Sequence, residues 1–319
     1  MTEFSVGISA NSEPFGIAAG ADGNLWFTEY SGDRIGRITP TGVVTEFSAG
    51  ITPDSGPLSI TAGPDGNIWF TEIFTSRIGR ITPAGVVTEF SAGITPGAFP
   101  RGITAGPDGN LWFTEAVANQ IGRITPLGVV TEFSAGISPS SGLWAITAGP
   151  DGNLWFTGYT NPPRIGRITP LGVVTEFTAG IAADAGIEAI SAGPDGNLWY
   201  ANQNNDTIGS VTPLGVITEF PIGSFAQPRG ITSGPDGNLW FAEYASSQVG
   251  RITPLGVVTE FGDGISPGAQ PRGITAGPDG NLWFTDPTGN RIGRINIASY
   301  IFVDGFELGD TSAWSAVLP

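Results

Sequence analysis

The stretch that decides the fold is RGITAGPDGNLWFTEAVANQIGRITPLGVVTEFSAGI, residues 101–137. It divides into four short runs: GITAG at 102–106, NLWFTE at 110–115, IGRITP at 121–126 and GVVTEF at 128–133. Each is rich in β-branched and aromatic residues, which suit a pleated, half-buried surface. Gly-Pro-Asp-Gly-Asn joins the first two runs, and an Asp-Gly pair favours a tight hairpin because glycine accepts positive φ. Thr-Pro-Leu-Gly joins the last two, with Pro and Gly again in turn-forming positions. The pattern predicts a unit of four antiparallel strands.

Outward from this stretch the same unit recurs. Trp112 has counterparts at Trp26, Trp69, Trp155, Trp199, Trp240 and Trp283, in steps of 41 to 44 residues. Seven such units predict an all-β protein, a seven-bladed β-propeller with four antiparallel strands per blade. Helical repeats of similar length are excluded by the Pro and Gly inside every unit, since Pro costs about 3 kcal/mol within a helix. Thr-Glu-Phe of the fourth strand stands at 2–4, 45–47, 88–90, 131–133, 175–177, 218–220 and 259–261, and none follows the seventh tryptophan. The last blade therefore lacks an outer strand, and the chain begins with a spare one. Residues 2–6 are expected to complete the blade built from 272–297, which removes two exposed edges and closes the ring. One propeller over 1–297 and a tail over 298–319 replace the two domains that a prior of about 150 residues per domain suggests.

Composition narrows the function. The 319 residues carry a formal net charge of −16, all 13 basic residues are Arg, and Lys, His and Cys are absent. Without Cys there is no disulfide, thiolate nucleophile or cysteine-ligated metal. Without His there is no histidine triad, histidine metal site or imidazole proton shuttle. An acidic chain without clustered lysine is a poor partner for nucleic acid or an anionic membrane. No apolar run approaches the roughly 18 residues of a membrane span. The expected partner is a small-molecule or protein ligand, bound by a monomer.

Strand parity separates the two faces of the ring. The first-to-second and third-to-fourth turns share one face, and the second-to-third loops and blade connections share the other. The first face is monotonous. The second carries the variation, as in Tyr30-Ser31-Gly32-Asp33, Tyr159-Thr160-Asn161-Pro162-Pro163 and Tyr244-Ala245-Ser246-Ser247. Variable loops on a rigid scaffold usually carry function. Two positions per blade are expected to ring the opening there. Inner strands start at Phe15, Leu58, Arg101, Trp144, Glu188, Arg229 and Arg272; second strands end at Glu29, Glu72, Glu115, Gly158, Asn202, Glu243 and Asp286. Trp, Tyr and Arg are enriched where binding energy concentrates. Ligand contacts are thus expected from Arg101, Trp144, Glu188, Arg229 and Arg272, with Tyr30, Tyr159 and Tyr244 at the rim. Three Arg on an acidic chain make a local positive spot, offset by the neighbouring carboxylates. Two readings stand side by side: an anion-recognising or metal-assisted pocket, and ion pairs that satisfy charges around a narrow opening. The tryptophans, Asp-Gly-Asn turns and Gly-Arg pairs recur in six or seven blades, which marks them as blade packing.

The unit GITAGPDGNLWFTE followed by RIGRITPLGVVTEF resembles the repeat of the virginiamycin B lyase (streptogramin lyase) family of seven-bladed propellers, over residues 2–297. The resemblance implies a lyase that uses Mg2+ to open a cyclic depsipeptide antibiotic by elimination across its ester. It also implies a catalytic His before the Gly of an inner strand and a carboxylate at the end of the next strand. The matching positions are Arg229 and Arg272, then Glu243 and Asp286, the last two being the candidate metal ligands. The acidic positions are kept and the histidine positions are arginine, which stays protonated and does not act as a base. The expected function is a non-catalytic propeller that binds a ligand or partner on its variable face. The alternative is a magnesium-dependent streptogramin B lyase, or a related enzyme using carboxylates and a metal.

Residues 298–319, ASYIFVDGFELGDTSAWSAVLP, lie outside the repeat and resemble short C-terminal tails of some secreted bacterial proteins. The only Met directly precedes the closing strand. Together these lead to an expectation of a secreted or periplasmic protein whose signal peptide has been removed; the alternative is an ordinary cytoplasmic start.

Overall fold

Every Asp-Gly-Asn turn is built in the same way. Gly109 takes a φ of 75°, and the Asp108 carboxylate accepts bonds from the Asn110 amide at 3.2 Å and from Trp112 Nε1 at 3.0 Å. The turn thereby satisfies the one polar atom of a fully buried indole. These hairpins are repeated around a ring in the protein's structure, a computed structural model that describes residues 1–301.

The reference blade runs from the channel outward as Pro100–Ala105, Leu111–Glu115, Gln120–Ile124 and Val130–Phe133, all antiparallel. Six further four-stranded sheets repeat it. All seven contribute residues to one central channel. The expected seven-bladed propeller is thus the observed one. Six of its inner strands begin a residue or two earlier than the pattern predicts, at Pro100 in this blade, and the seventh begins later, at Ile274.

The core lies between blades. Trp112 packs with Ile146, Leu154 and Phe156 of the following blade. Phe133 stacks on its indole at 5.3 Å between ring centroids, and the Arg123 guanidinium lies over both rings. Arg123 Nη1 then donates to the Pro170 carbonyl of the next blade at 3.3 Å. The repeated Gly-Arg pair is therefore an inter-blade clamp, and its glycine has a packing role too: a Cβ at Gly122 would meet the Phe113 ring. Truncating one such buried Trp to Ala costs about 3–5 kcal/mol.

In six blades the Glu of Thr-Glu-Phe pins the connection that enters its own blade, whereas Glu219 of the fifth accepts from the Tyr200 hydroxyl at 3.0 Å. Glu89 accepts from Thr52 Oγ1 at 2.7 Å, Glu132 from Thr95 Oγ1 at 2.8 Å, and Glu260 from the Gly223 amide at 2.8 Å.

The ring closes as expected. Thr2–Phe4 pairs antiparallel with Arg291–Ile295, in register Thr2 with Arg294 and Phe4 with Ile292. Phe4 stacks on Trp283 at 5.5 Å. Glu3 accepts from the Ser266 amide at 2.9 Å and from Arg291 Nη1 at 2.8 Å. The closing strand spans three residues rather than the five of 2–6. A single helical turn, Ala298–Ile301, follows the ring. The rest of the tail, 302–319, lies outside the described residues, and no helix among those described is long and apolar enough to cross a membrane.

Candidate functional site

The inner strand of a blade carries a register shift between Pro100 and Ile103. Such a bulge turns a side chain away from the pleat, and here it aims Arg101 at the channel axis. Thr114 of the second strand repairs the ladder. Its hydroxyl accepts from the Gly102 amide at 2.9 Å and donates to the Trp144 carbonyl of the next blade at 2.7 Å. Inner strands crowd at the axis, so a Cβ at Gly102 would press on that same carbonyl at 2.7 Å. The same shift recurs in six inner strands. It brings Phe15, Leu58, Arg101, Trp144, Glu188 and Arg229 to the wall, joined by Arg272 from the seventh blade.

The wall has two chemically distinct sectors. In the first, Glu188 is the counter-ion of two arginines. Arg229 Nη1 donates to its two oxygens at 2.9 and 2.8 Å, and Arg272 Nη2 reaches it from two blades away at 3.3 Å. Gln203 Nε2 adds a bond to Glu188 at 3.2 Å and another to the Tyr159 hydroxyl at 2.9 Å. Burial, followed by the Arg229 charge and opposed by Glu188, pulls Arg272 down to about 10, so it remains a cation at neutral pH. Tyr244 lies under the Arg229 guanidinium at 4.3 Å, and Phe15 under that of Arg272 at 3.9 Å. In the second sector the Arg101 guanidinium sits 3.7 Å from the centroid of Trp144, which in turn meets Tyr159 at 5.3 Å. Burial lowers the pKa of Arg101, with Glu188 opposing. Tyr30 stands 5.8 Å from Phe15. It opens with Leu58 and Ile73 onto a cavity of about 380 Å3 at the channel mouth.

Phe15, Leu58, Arg101, Trp144 and Arg272 thus meet Tyr30 and Tyr244 at one mouth; Glu188 and Arg229 line the inner channel, and Tyr159 packs on Trp144 without lining either cavity. The second expected ring is not there. Glu29, Glu72, Glu115, Asn202 and Asp286 are fully buried and Glu243 nearly so, and none lines the channel cavities. Second-strand side chains point into the clefts between blades, because only the innermost strand of an edge-on sheet touches the axis. Burial, reinforced by the neighbouring fourth-strand carboxylate, pushes Glu72 and Glu115 up to about 8. Burial likewise raises Glu29 to about 8 and Glu243 to about 7. The partner of Arg229 and Arg272 is thus Glu188, not Glu243 or Asp286. Sequence reasoning also missed Gln203, whose bridging bonds could have been suspected from its place directly after a second-strand end.

A magnesium site at Glu243 and Asp286 does not fit these residues. Asp286 is occupied: Oδ1 accepts from the Gln270 and Gly289 amides at 3.0 Å, and Oδ2 from Arg291 Nε at 2.9 Å. Glu243 has one oxygen bonded to Ser246 Oγ at 2.6 Å and the other buried without a partner. Among the described residues no three acidic side chains come together as a metal set.

Known proteins share this architecture. The profile of the virginiamycin B lyase family matches residues 1–136 and 135–313. A streptogramin B lyase structure superposes with a TM-score of 0.85 at 35% identity, covering 92% of this chain and 96% of that one. The virginiamycin B lyase from Staphylococcus aureus gives 0.85 at 36% identity, with 92% and 98% covered. A catalytically inactive histidine-to-alanine form of the S. aureus enzyme, crystallised with quinupristin, gives 0.84 at 35% identity with the same coverage. No match was found among curated proteins. The seven blades, the repeat that builds them and these matches together make the chain a member of the virginiamycin B lyase family.

Proposed function

We propose that this member of the family binds a ligand at the variable mouth of its channel and does not catalyse the lyase reaction. One observation carries the reading. Both positions that match the family's histidine slot hold arginine, and both guanidinium groups are paired with Glu188. A guanidinium keeps its proton and cannot serve as a general base. Glu188, the carboxylate of the inner wall, directs its oxygens to two arginines and Gln203. What remains at the mouth is a binding surface of aromatic, aliphatic and cationic side chains, of the kind that concentrates affinity.

The alternative is a magnesium-dependent streptogramin B lyase. It draws on family membership and on the 35–36% identity to enzymes of that activity. Incubating the protein with a streptogramin B, with and without Mg2+, and separating intact from linearised antibiotic by chromatography distinguishes the two. No opening above background is expected. Clear magnesium-dependent turnover would replace the binding reading with the lyase one.

A further inference from the structure

Arg101 differs from its neighbours in the channel. Arg229 and Arg272 share Glu188, whereas the Arg101 guanidinium makes no hydrogen bond or ion pair to any described residue; its Nε, like that of Arg229, is buried without a partner. A guanidinium carries five N–H donors, and leaving buried donors unmet is costly. Trp144 holds one face of the group at 3.7 Å. Stacking of this kind fixes the plane of the cation and leaves its edge free for in-plane acceptors. Arg101 also belongs to the lining of both the inner channel and the wider mouth, so that edge is reachable from the entrance.

The surroundings specify what would meet it. On one side of Arg101 around the ring stand Leu58 and Phe15, with Tyr30 and Ile73 above them at the mouth. These form an apolar wall. On the other side, beyond Trp144, Glu188 is already neutralised. Glu13, at the rim, is engaged by Ser31 Oγ at 2.6 Å. Arg101 is therefore the one arginine of the mouth with no carboxylate paired to it, and it stands adjacent to an apolar surface.

We propose that the channel mouth is a site for an amphipathic monoanion, an aromatic or aliphatic carboxylate whose head group takes the free edge of Arg101 and whose body lies against Phe15, Leu58 and Tyr30. A carboxylate matches the guanidinium fork in geometry as well as charge. This rests on the reading of the mouth as a binding site and adds to it the chemical class of the ligand.

The test compares 2-naphthoate with 2-naphthamide, which differ only in the charged head. Binding to the whole protein is measured by calorimetry, and its location by the Trp144 indole N–H signal, assigned with Trp144→Phe. The acid is expected to bind at least about tenfold more tightly than the amide, the increment typical of a charged hydrogen bond, and both should shift the Trp144 signal. Arg101→Gln should bring the acid down to the affinity of the amide and leave the amide unchanged. Equal affinities in the unmodified protein, or a preference for the acid that survives Arg101→Gln, overturns the monoanion inference while the binding-site reading stands. If neither compound shifts the Trp144 signal, the binding-site reading falls with it. Should Arg101→Gln fail to fold, the acid-to-amide comparison in the unmodified protein decides alone.

Discussion

Replacing Glu72 by Gln should make the protein more stable in alkaline solution while changing little in acid. Glu72 is fully buried, with Oε2 bonded to Thr75 Oγ1 at 2.8 Å and Oε1 without a partner. Burial, followed by the Glu89 carboxylate, pushes its pKa from 4.5 to about 8. Glu89 moves the other way: burial alone would raise it, but bonds from Thr52, Glu72 and Arg77 outweigh that and hold it low. The cleft thus contains a protonated carboxyl beside an ionised one. The folded state keeps a proton on Glu72 that the unfolded chain releases above pH 4.5. The stabilisation is therefore complete below about pH 4.5 and is lost as pH rises through 8. One proton of difference corresponds to about 1.4 kcal/mol per pH unit, so this group weakens the fold by about 4 kcal/mol between pH 5 and pH 8. An amide carries no proton to lose, and the chain already holds one in this position: Asn202 of the fifth blade donates to Asn205 Oδ1 at 3.0 Å and accepts from the Gly186 amide at 3.0 Å. Urea unfolding of the two proteins at pH 5, 6, 7 and 8, followed by tryptophan fluorescence, should give near-equal stabilities at pH 5. The advantage to Glu72→Gln should then grow to a few kcal/mol at pH 8. A constant difference across the range would mean that Glu72 is ionised in the fold, and the reasoning from burial would be wrong.

Deleting residues 2–6 should leave Arg291–Ile295 as an open edge and Trp283 without the Phe4 ring, so sedimentation should show association and the melting temperature should fall; unchanged sedimentation and melting temperature refute the closure energetics. Replacing Arg229 and Arg272 together by Gln should cost roughly 3 kcal/mol, because Glu188 is left buried with Gln203 as its donor. Adding Glu188→Gln should recover most of that loss in a thermal melt, and no recovery would mean that the arginines stabilise the ring by packing alone.

The ring itself was legible because its signals are local and repeated. Turn chemistry, strand composition and the displaced Thr-Glu-Phe at 2–4 each point to the same closed circle. The inner wall was legible for the same reason, since Arg101, Trp144 and Arg229 occupy one phase of the repeat. The acidic strand ends were misplaced because phase alone does not say which way a side chain points. Glu72 and Glu115 follow the alternation of their strand into the inter-blade cleft, whereas Arg101 reaches the axis through a bulge that breaks alternation. The sharing of Glu188 by Arg229 and Arg272 was equally hidden. It spans two blades across the channel, a relation set by the curvature of the whole ring and not by any spacing along the chain.

The pairing of Thr2–Phe4 with the last blade also orders events in time. During synthesis six blades can each be completed from consecutive strands as they leave the ribosome, but the seventh is completed only when its own strands meet a segment made before all the other blades. Until then the strand before the first blade is loose and the edge of the last blade unpaired, and joining them is the longest loop closure of the ring. Since Thr-Glu-Phe is the same in every outer strand, the loose strand of one molecule suits the waiting edge of another. Dilute refolding should yield closed single rings, where tethering gives the chain's own end the advantage. Concentrated refolding should link molecules end to end by strand exchange.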